Sequence, residues 1–157
     1  MISMICAVGK NREIGFQNKL LWDLPGDMKH FVKTTKGKTV IMGQNTYDSL
    51  YIKPLPGRKN IVLTLDENFE APGCEVSRDL KEIAERYKDS DEEVFVMGGA
   101  SIYKQFLPYC LKLYLTLVDD APEADTWFPD YSEFKQISES EAQEENGIKY
   151  KFVELTR

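Results

Sequence analysis

The chain has 157 residues, of which 42% are hydrophobic and 29% are charged. This length and composition are typical of a water-soluble globular protein, and we predict one domain, residues 1–157. The net charge of −6 argues against a nucleic-acid or membrane-surface partner, since both are themselves anionic. No apolar run approaches the ~20 residues that span a bilayer, and no export signal is visible, so we expect a cytoplasmic protein.

The amino-terminal half predicts a buried strand, a long loop and a helix before the sheet continues. Ile2–Val8 is an apolar run without helical period, which is typical of a central strand. Residues 9–21 are polar, and we interpret them as a loop of a length that usually serves function. Pro25–Thr35 is a predicted helix, because proline is tolerated in the first turn. Thr39–Met42 is the next predicted strand, and a short helix, 44–50, follows it.

Strands and helices continue to alternate in the second half of the chain. Apolar runs predict further strands at Asn60–Leu65, Glu75–Ser77, Val94–Met97 and Leu113–Val118. Helical spacing of apolar residues marks Leu80–Tyr87 and residues 102–106. Two alternating stretches, 134–140 and 149–155, predict an antiparallel hairpin near a sheet edge. We therefore predict an α/β fold: a mainly parallel sheet of about eight strands with an antiparallel carboxyl-terminal edge, flanked by about four helices.

An acid stands at the start of the first predicted helix, in the segment WDLPGD. Asp27 falls in the first turn, where the helix dipole favours negative charge. Met28, Phe31 and Val32 recur at helical spacing, so we expect this helix to bury one stripe. Asp27 and Phe31 lie side by side on the helix surface, which sets a carboxylate at the edge of an apolar wall. A flat ligand with adjacent N–H donors would pair with the acid, and the aromatic ring would cover its face.

Glycines mark two junctions where a predicted strand runs into a helix. Gly98-Gly99 follows VFVM, and Gly43-Gln44-Asn45-Thr46 follows VIM. Glycine lets backbone approach a ligand closely, and free N–H groups at a helix start attract phosphate. Neither junction has the G-x-G-x-x-G fingerprint, and a tight structural turn explains each glycine equally well.

Six segments in order resemble bacterial dihydrofolate reductases, and together they cover almost the whole chain. They are MISMICAVGKNREIGFQNKLLWDLPGDMKHF, VIMGQNTYDSL, PLPGRKNIVLT, VFVMGGASIYKQFLP, KLYLTLVD and DTWFPDY. The resemblance implies that 7,8-dihydrofolate is reduced to 5,6,7,8-tetrahydrofolate by hydride transfer from NADPH. It also implies that folate-like inhibitors bind in the same place, and we expect a monomer.

The resemblance assigns four residues to catalysis. Asp27 would anchor the pterin, and Thr116 would hydrogen-bond that acid. Trp22 would hold an ordered water, and Leu20 would belong to a loop that closes over the nicotinamide. The residues implied for the substrate are Ile5, Cys6, Ala7, Asp27, Met28, Phe31, Ser49, Leu50, Lys53, Leu55, Arg58, Met97, Tyr103 and Thr116. Among them, Arg58 and Lys53 would bind the carboxylate end of the folate.

The cofactor half is assigned in the same way. The residues implied for NADPH are Ala7, Ile14, Gly15, Asn18, Leu20, Gly43, Gln44, Asn45, Thr46, Leu63, Thr64, Leu65, Met97, Gly98, Gly99, Ala100, Ser101, Ile102, Tyr103, Gln105 and Thr126. Gln44, Leu65 and Asp66 stand where this family commonly offers basic or polar residues to the 2′-phosphate. An acid repels a phosphate, so the sequence predicts a weakened NADPH preference and some use of NADH.

Two other functions remain open at this point. A pyrimidine reductase of riboflavin synthesis would share the fold, the PLPGR-like segment and the paired glycines. A folate- or nucleotide-binding protein without turnover would share the pocket. The three cysteines, Cys6, Cys74 and Cys110, have no CxxC spacing and no histidine cluster, so we predict no metal.

Overall fold

The chain folds into twelve strands and four α-helices, and a computed structural model describes all 157 of its residues. In chain order the strands are β1 (Ile2–Val8), β2 (Glu13–Phe16), β3 (Lys19–Leu20), β4 (Thr39–Gly43), β5 (Lys59–Leu63), β6 (Glu75–Ser77), β7 (Val94–Val96), β8 (Cys110–Val118), β9 (Thr126–Trp127), β10 (Lys135–Glu139), β11 (Gln143–Glu145) and β12 (Ile148–Thr156). The helices are α1 (Pro25–Thr35), α2 (Gln44–Ser49), α3 (Leu80–Tyr87) and α4 (Ala100–Phe106). A 3₁₀ turn, Leu107–Tyr109, joins α4 to β8.

Nine strands form the main sheet, in the order β10-β12-β8-β1-β7-β4-β5-β6, with β11 paired to β12. From β8 to β6 every neighbouring pair is parallel, whereas β12 is antiparallel to β8, β10 and β11. The predicted fold class, with its antiparallel carboxyl-terminal edge, is confirmed. No helix of the structure combines the length and apolar character needed to cross a membrane.

Side chains from alternate positions of the central strands build a core on each face of the sheet. On one face Ile41 joins residues of α3 and α4, such as Ile83 and Phe106. On the other face Val40 and Met42 pack with Tyr47 of α2. Strands buried on both faces need continuous apolar sequence, which is why these runs lacked helical or alternating period.

A second, smaller sheet includes two strands from the region that we predicted to be a polar loop. Strands β3, β2 and β9 pair antiparallel in that order. The β2–β3 hairpin turns through Gln17 and Asn18, which both have positive φ (50° and 60°), as a two-residue hairpin turn requires. The loop prediction for residues 9–21 was therefore wrong over β2 and β3.

Helix α1 begins and ends as predicted, but it does not bury the expected stripe. Met28 is 54% exposed, Val32 is 40% exposed, and Phe31 is only half-buried. The one fully buried residue of α1 is Thr35. The physical reason is that Met28 and Phe31 line a large cavity and are not packed in the core.

Candidate functional site

A cavity of about 1210 Å³ opens beside the carboxyl ends of the parallel strands. Its lining includes residues at or just beyond the ends of β1, β4, β5 and β7, which lie at one edge because these strands are parallel. Pockets for one drug-sized ligand occupy roughly 300–1,000 Å³. The cavity is therefore large enough for two ligands side by side.

Asp27 lies in the wall of this cavity, in the first turn of α1. Thr116 of β8 donates its hydroxyl hydrogen to Asp27 Oδ1, with the two oxygens 2.5 Å apart. Asp27 Oδ2 accepts no hydrogen bond from the chain, and the carboxylate forms no ion pair. The structure thus presents a half-buried acid with one oxygen available to a ligand.

The surroundings of Asp27 make its charged form costly. Burial, the largest effect, raises the pKa of the Asp27 carboxyl above its ordinary value. The hydrogen bond from Thr116 and the charge of His30 lower that pKa, and the charge of Glu145 raises it. A ligand that donates hydrogen bonds to Asp27 would stabilise the carboxylate.

Apolar and cationic groups stand beside the acid. Phe31 lines the cavity one turn along α1, and the Arg58 guanidinium carbon lies 5.9 Å from the centre of its ring. Arg58 Nε is buried and has no hydrogen-bond partner in the chain. Burial lowers the pKa of Arg58. Arg58 forms no ion pair within the chain, so this guanidinium behind Phe31 has capacity to bind an anionic group.

Trp22 does not present a free indole N–H to the cavity. Its Nε1 donates to Asp120 Oδ2 at 3.0 Å, in the segment that follows β8. The indole N–H of Trp22, the residue to which the family resemblance assigns an ordered water, is therefore hydrogen-bonded to the Asp120 carboxylate. Asp120 also binds backbone: its carbonyl accepts from Lys10 N at 2.9 Å.

The loop that carries Leu20 is fastened to the same segment at a second point. Asp125 Oδ2 accepts from Gln17 N at 2.9 Å, and Asp125 N donates to the Gly15 carbonyl at 3.0 Å. Leu20 itself is 79% exposed at the rim of the cavity. The β2–β3 hairpin thus forms one side of the cavity mouth.

The two glycine junctions meet on the other half of the cavity. Gly43 N donates to the Gly98 carbonyl at 2.9 Å, so the ends of β4 and β7 are joined. A Cβ on Gly43 would come within 3.0 Å of Ile102, and Gly98 has a φ of +124° that only glycine adopts readily. The peptide bond between Gly98 and Gly99 is cis. The Ile102 side chain thus accounts for Gly43, and the backbone conformation accounts for Gly98.

Polar side chains line the cavity beyond β5, and the sequence predicted some of them but not Arg78. Thr64 Oγ1 donates to Gln44 Oε1 at 2.5 Å and accepts from Asp66 N at 3.0 Å. Arg78, which follows β6, donates through Nη2 to the Asp66 carbonyl at 2.9 Å and lines the cavity. The positively charged side chain of Arg78 therefore lies in the region where the sequence, with Gln44 and Asp66, had indicated a lack of basic residues.

All predicted site residues line the cavity except Lys53 and Arg58. Lys53 donates instead to the Asp48 carbonyl at 3.1 Å and lies over the Tyr47 ring, while Arg58 stands behind Phe31. Residues of the lining that the sequence did not indicate are Lys19, Leu21, Leu24, Tyr51, Ile52, Ser77, Arg78 and Leu80. An SR pair before a helix carries no signal by itself, so Ser77 and Arg78 could be found only from the fold.

Metal-ligating side chains and cysteines are the last groups of the structure to consider. No group of three or more His, Cys, Asp or Glu side chains is placed to hold a metal ion. All three cysteines are free thiols, and burial raises the pKa of Cys6, which lines the cavity, to about 12. Cys6 is thus a poor nucleophile at neutral pH.

Comparisons with known proteins find relatives that match almost the whole chain. The family model for dihydrofolate reductase matches residues 1–157. The dihydrofolate reductase of Bacillus subtilis is 40% identical over 98% of this chain and 92% of its own, and dihydrofolate reductase type 3 of Salmonella typhimurium is 37% identical over 100% and 98%.

A solved structure gives the same result for the fold. Dihydrofolate reductase from Enterococcus faecalis, complexed with NADP(H) and RAB-propyl, superposes with a TM-score of 0.90 at 27% identity and covers 100% of this chain and 96% of its own. The matches extend over the whole chain and include the segments that form the cavity. By sequence and by fold, this chain belongs to the dihydrofolate reductase family.

Proposed function

We propose that this protein reduces 7,8-dihydrofolate to 5,6,7,8-tetrahydrofolate with NADPH as the hydride donor, and that Asp27 anchors the pterin. One observation carries this proposal: Asp27 is a half-buried carboxylate, unpaired except for Thr116, in a cavity with room for both substrate and cofactor. Family membership supports the reaction, and the related Enterococcus faecalis enzyme is complexed with NADP(H).

The reaction moves one hydride and one proton. The hydride leaves C4 of the reduced nicotinamide and bonds to C6 of dihydrofolate, while a proton is added at N5, so the imine becomes an amine and NADP⁺ remains. Asp27 accepts two hydrogen bonds, from the 2-amino group and N3 of the pterin, in a bidentate charge-assisted pair. Because Asp27 binds that part of the ring, the proton for N5 comes from water admitted through the cavity mouth.

The remainder of the substrate extends along α1 toward Arg58. The Phe31 ring covers one face of the substrate, and Met28 continues the apolar wall. The unpartnered Nε of Arg58 supports a role as the donor to the glutamate carboxylate, because a buried N–H without an acceptor is costly. Lys53 is exposed and bonded to Asp48, which makes it a secondary contact at most.

NADPH occupies the glycine-rich half of the cavity. The joined ends of β4 and β7 leave the pyrophosphate close to backbone, and the β2–β3 hairpin covers the nicotinamide side. We assign the 2′-phosphate to Thr64 and Arg78, with Arg78 supplying the positive charge that Gln44, Leu65 and Asp66 lack. On this account the preference for NADPH over NADH depends on Arg78.

Turnover is tested by mixing the protein with dihydrofolate and NADPH and following the nicotinamide absorbance. Decay of the absorbance supports the reductase. Tight folate-analogue binding without any decay would favour the alternative of a binding protein that lacks turnover.

The cofactor assignment has a matched pair of variants. Arg78→Gln should raise the KM for NADPH about tenfold and leave the KM for NADH nearly unchanged, since only NADPH carries the 2′-phosphate. Lys81→Gln, which removes an exposed cation on α3 that has no ion pair, is the control. Equal effects of the two variants on NADPH would contradict the role of Arg78.

A further inference from the structure

The first turn of α1 is capped by a residue from the other end of the chain. Leu24 precedes the helix and offers no capping side chain. The N–H of Gly26 instead donates to Glu145 Oε1 at 2.8 Å, across 119 positions of sequence. Glu145 ends β11, so the β11–β12 hairpin satisfies a helix N–H group that would otherwise lack a partner.

Tyr150 fixes the position of the Glu145 carboxylate. The Tyr150 ring is buried in β12, and its hydroxyl donates a short hydrogen bond to Glu145 Oε1. The same oxygen therefore accepts from Tyr150 and from Gly26. Such a shared acceptor has little freedom to move, because Tyr150 is 2% exposed.

Gly26 is required by this arrangement. A Cβ at position 26 would lie 2.3 Å from the Tyr150 hydroxyl oxygen and 2.9 Å from Glu145 Oε1. A side chain there would push the hairpin away from the helix. Because Gly26 has no side chain, Glu145 and Tyr150 can lie close to the start of the helix.

Asp27 is the next residue along the helix. We propose that Glu145 is a positioning residue for Asp27: by capping α1 through Gly26 it fixes the first helical turn, and its negative charge acts on the neighbouring carboxylate. The inference rests on the proposed function, because it concerns how the pterin-binding acid is held and charged.

Charged and titratable groups from several elements face Asp27. On α1 itself His30 contributes an opposing charge, and its ring stacks on Phe152 of β12 with centroids 3.9 Å apart. Thr116 donates from β8, and Glu145 adds negative charge from β11. The side chains that Asp27 in turn influences are Cys6 on β1, Tyr103 on α4 and Tyr150 on β12. Glu145 is the only anionic group among those that act on the Asp27 pKa.

Two substitutions separate the geometry from the charge. Glu145→Gln keeps an oxygen that accepts from both Gly26 and Tyr150, but it removes the charge. The titration midpoint of Asp27 should then fall by about 0.5 pH unit, as expected for a partly screened pair of like charges. Glu145→Ala removes the contact as well, and it should raise the KM for dihydrofolate about fivefold because Asp27 is no longer held in place.

The midpoint is measured by carboxyl ¹³C NMR on the unliganded protein, with Asp27→Asn identifying the resonance. Glu144→Gln is the matched control, because it removes the same charge from an exposed neighbour on β11. The KM of Glu145→Gln for dihydrofolate should stay within about twofold of the original value, because the glutamine keeps the contact with Gly26. If Glu145 acted only through its charge, Glu145→Gln and Glu145→Ala would have the same KM.

The inference is overturned if Glu145→Gln leaves the Asp27 midpoint where Glu144→Gln leaves it, or if Glu145→Ala keeps the original KM. Absence of turnover in the unmodified protein would refute the proposed function, yet the titration would still decide the role of Glu145. If Glu145→Ala fails to fold, Glu145→Gln carries the test.

Discussion

Replacing Asp27 by asparagine should change activity and stability in opposite directions. The amide keeps the shape of the side chain, but it has one acceptor oxygen and places an NH₂ group against a donor of the pterin. One hydrogen bond to a charged group is lost and a donor is left facing a donor. Bonds to charged groups contribute about 1.5–3 kcal/mol each, so kcat/KM at neutral pH should fall roughly 10- to 100-fold.

The free energy of unfolding should rise in the same variant. Burial raises the pKa of Asp27 in the folded protein above its value in the unfolded chain. Below the unfolded pKa both states are protonated and folding is not penalised. As the pH rises through the folded pKa the carboxyl must ionise in a partly buried site, and the full penalty is present above it. Asparagine removes that penalty at pH 7.

The alternative interpretation of Asp27 predicts that the substitution lowers the free energy of unfolding. An acid kept only as a partner of the helix dipole would stabilise α1 by about 0.3–1 kcal/mol, and its loss would destabilise the protein. Urea unfolding of both proteins without ligand, at pH 7 and near pH 3.5, distinguishes the two. Asp27→Asn should be more stable at pH 7 and equal to the original protein near pH 3.5. Lower stability at pH 7 together with undiminished turnover would refute the assignment.

Three further substitutions test the surroundings of this acid. Thr116→Val removes the hydrogen bond that favours the charged form, so the pKa of Asp27 should rise further, which a pH titration by NMR would detect. Asp120→Ala removes the hydrogen bond that holds the Trp22 indole in the cavity wall, so kcat should fall several-fold. The free energy of unfolding should change by only about 1 kcal/mol in urea titrations. Arg58→Lys replaces a planar fork by a point charge, so steady-state kinetics should show a KM for dihydrofolate raised about tenfold with kcat little changed. An unchanged value in any of these measurements would count against the corresponding contact.

The bounds of two elements followed directly from the sequence. Strand β1 and helix α1 begin and end at the predicted residues, because an apolar run between polar residues and a proline at a helix start are strong local signals. The β2–β3 hairpin gave no such signal. Its strands have four and two residues, too few to show a period, and its turn through Gln17-Asn18 lacks glycine.

The site was predicted where local pattern and family resemblance coincide, and it was missed where contacts join distant segments. Asp27 and Thr116 meet because β8 passes beside the start of α1, and the resemblance had paired them. Arg78 reaches the cavity from the loop after β6, and Glu145 reaches the start of α1 from the β11–β12 hairpin. Nothing in the sequence distinguishes either residue from an ordinary surface charge. The apolar spacing of Met28 marked a cavity-lining face, which periodicity cannot distinguish from a core face.

The short segment between β8 and β9 contacts the β1–α1 connection at two places, through Asp120 at Trp22 and through Asp125 at Gly15 and Gln17. Substitutions in this stretch should therefore alter how readily water enters the mouth of the cavity, without changing the residues of its floor. Solvent access to the cavity thus depends on a segment that lies mostly outside its lining.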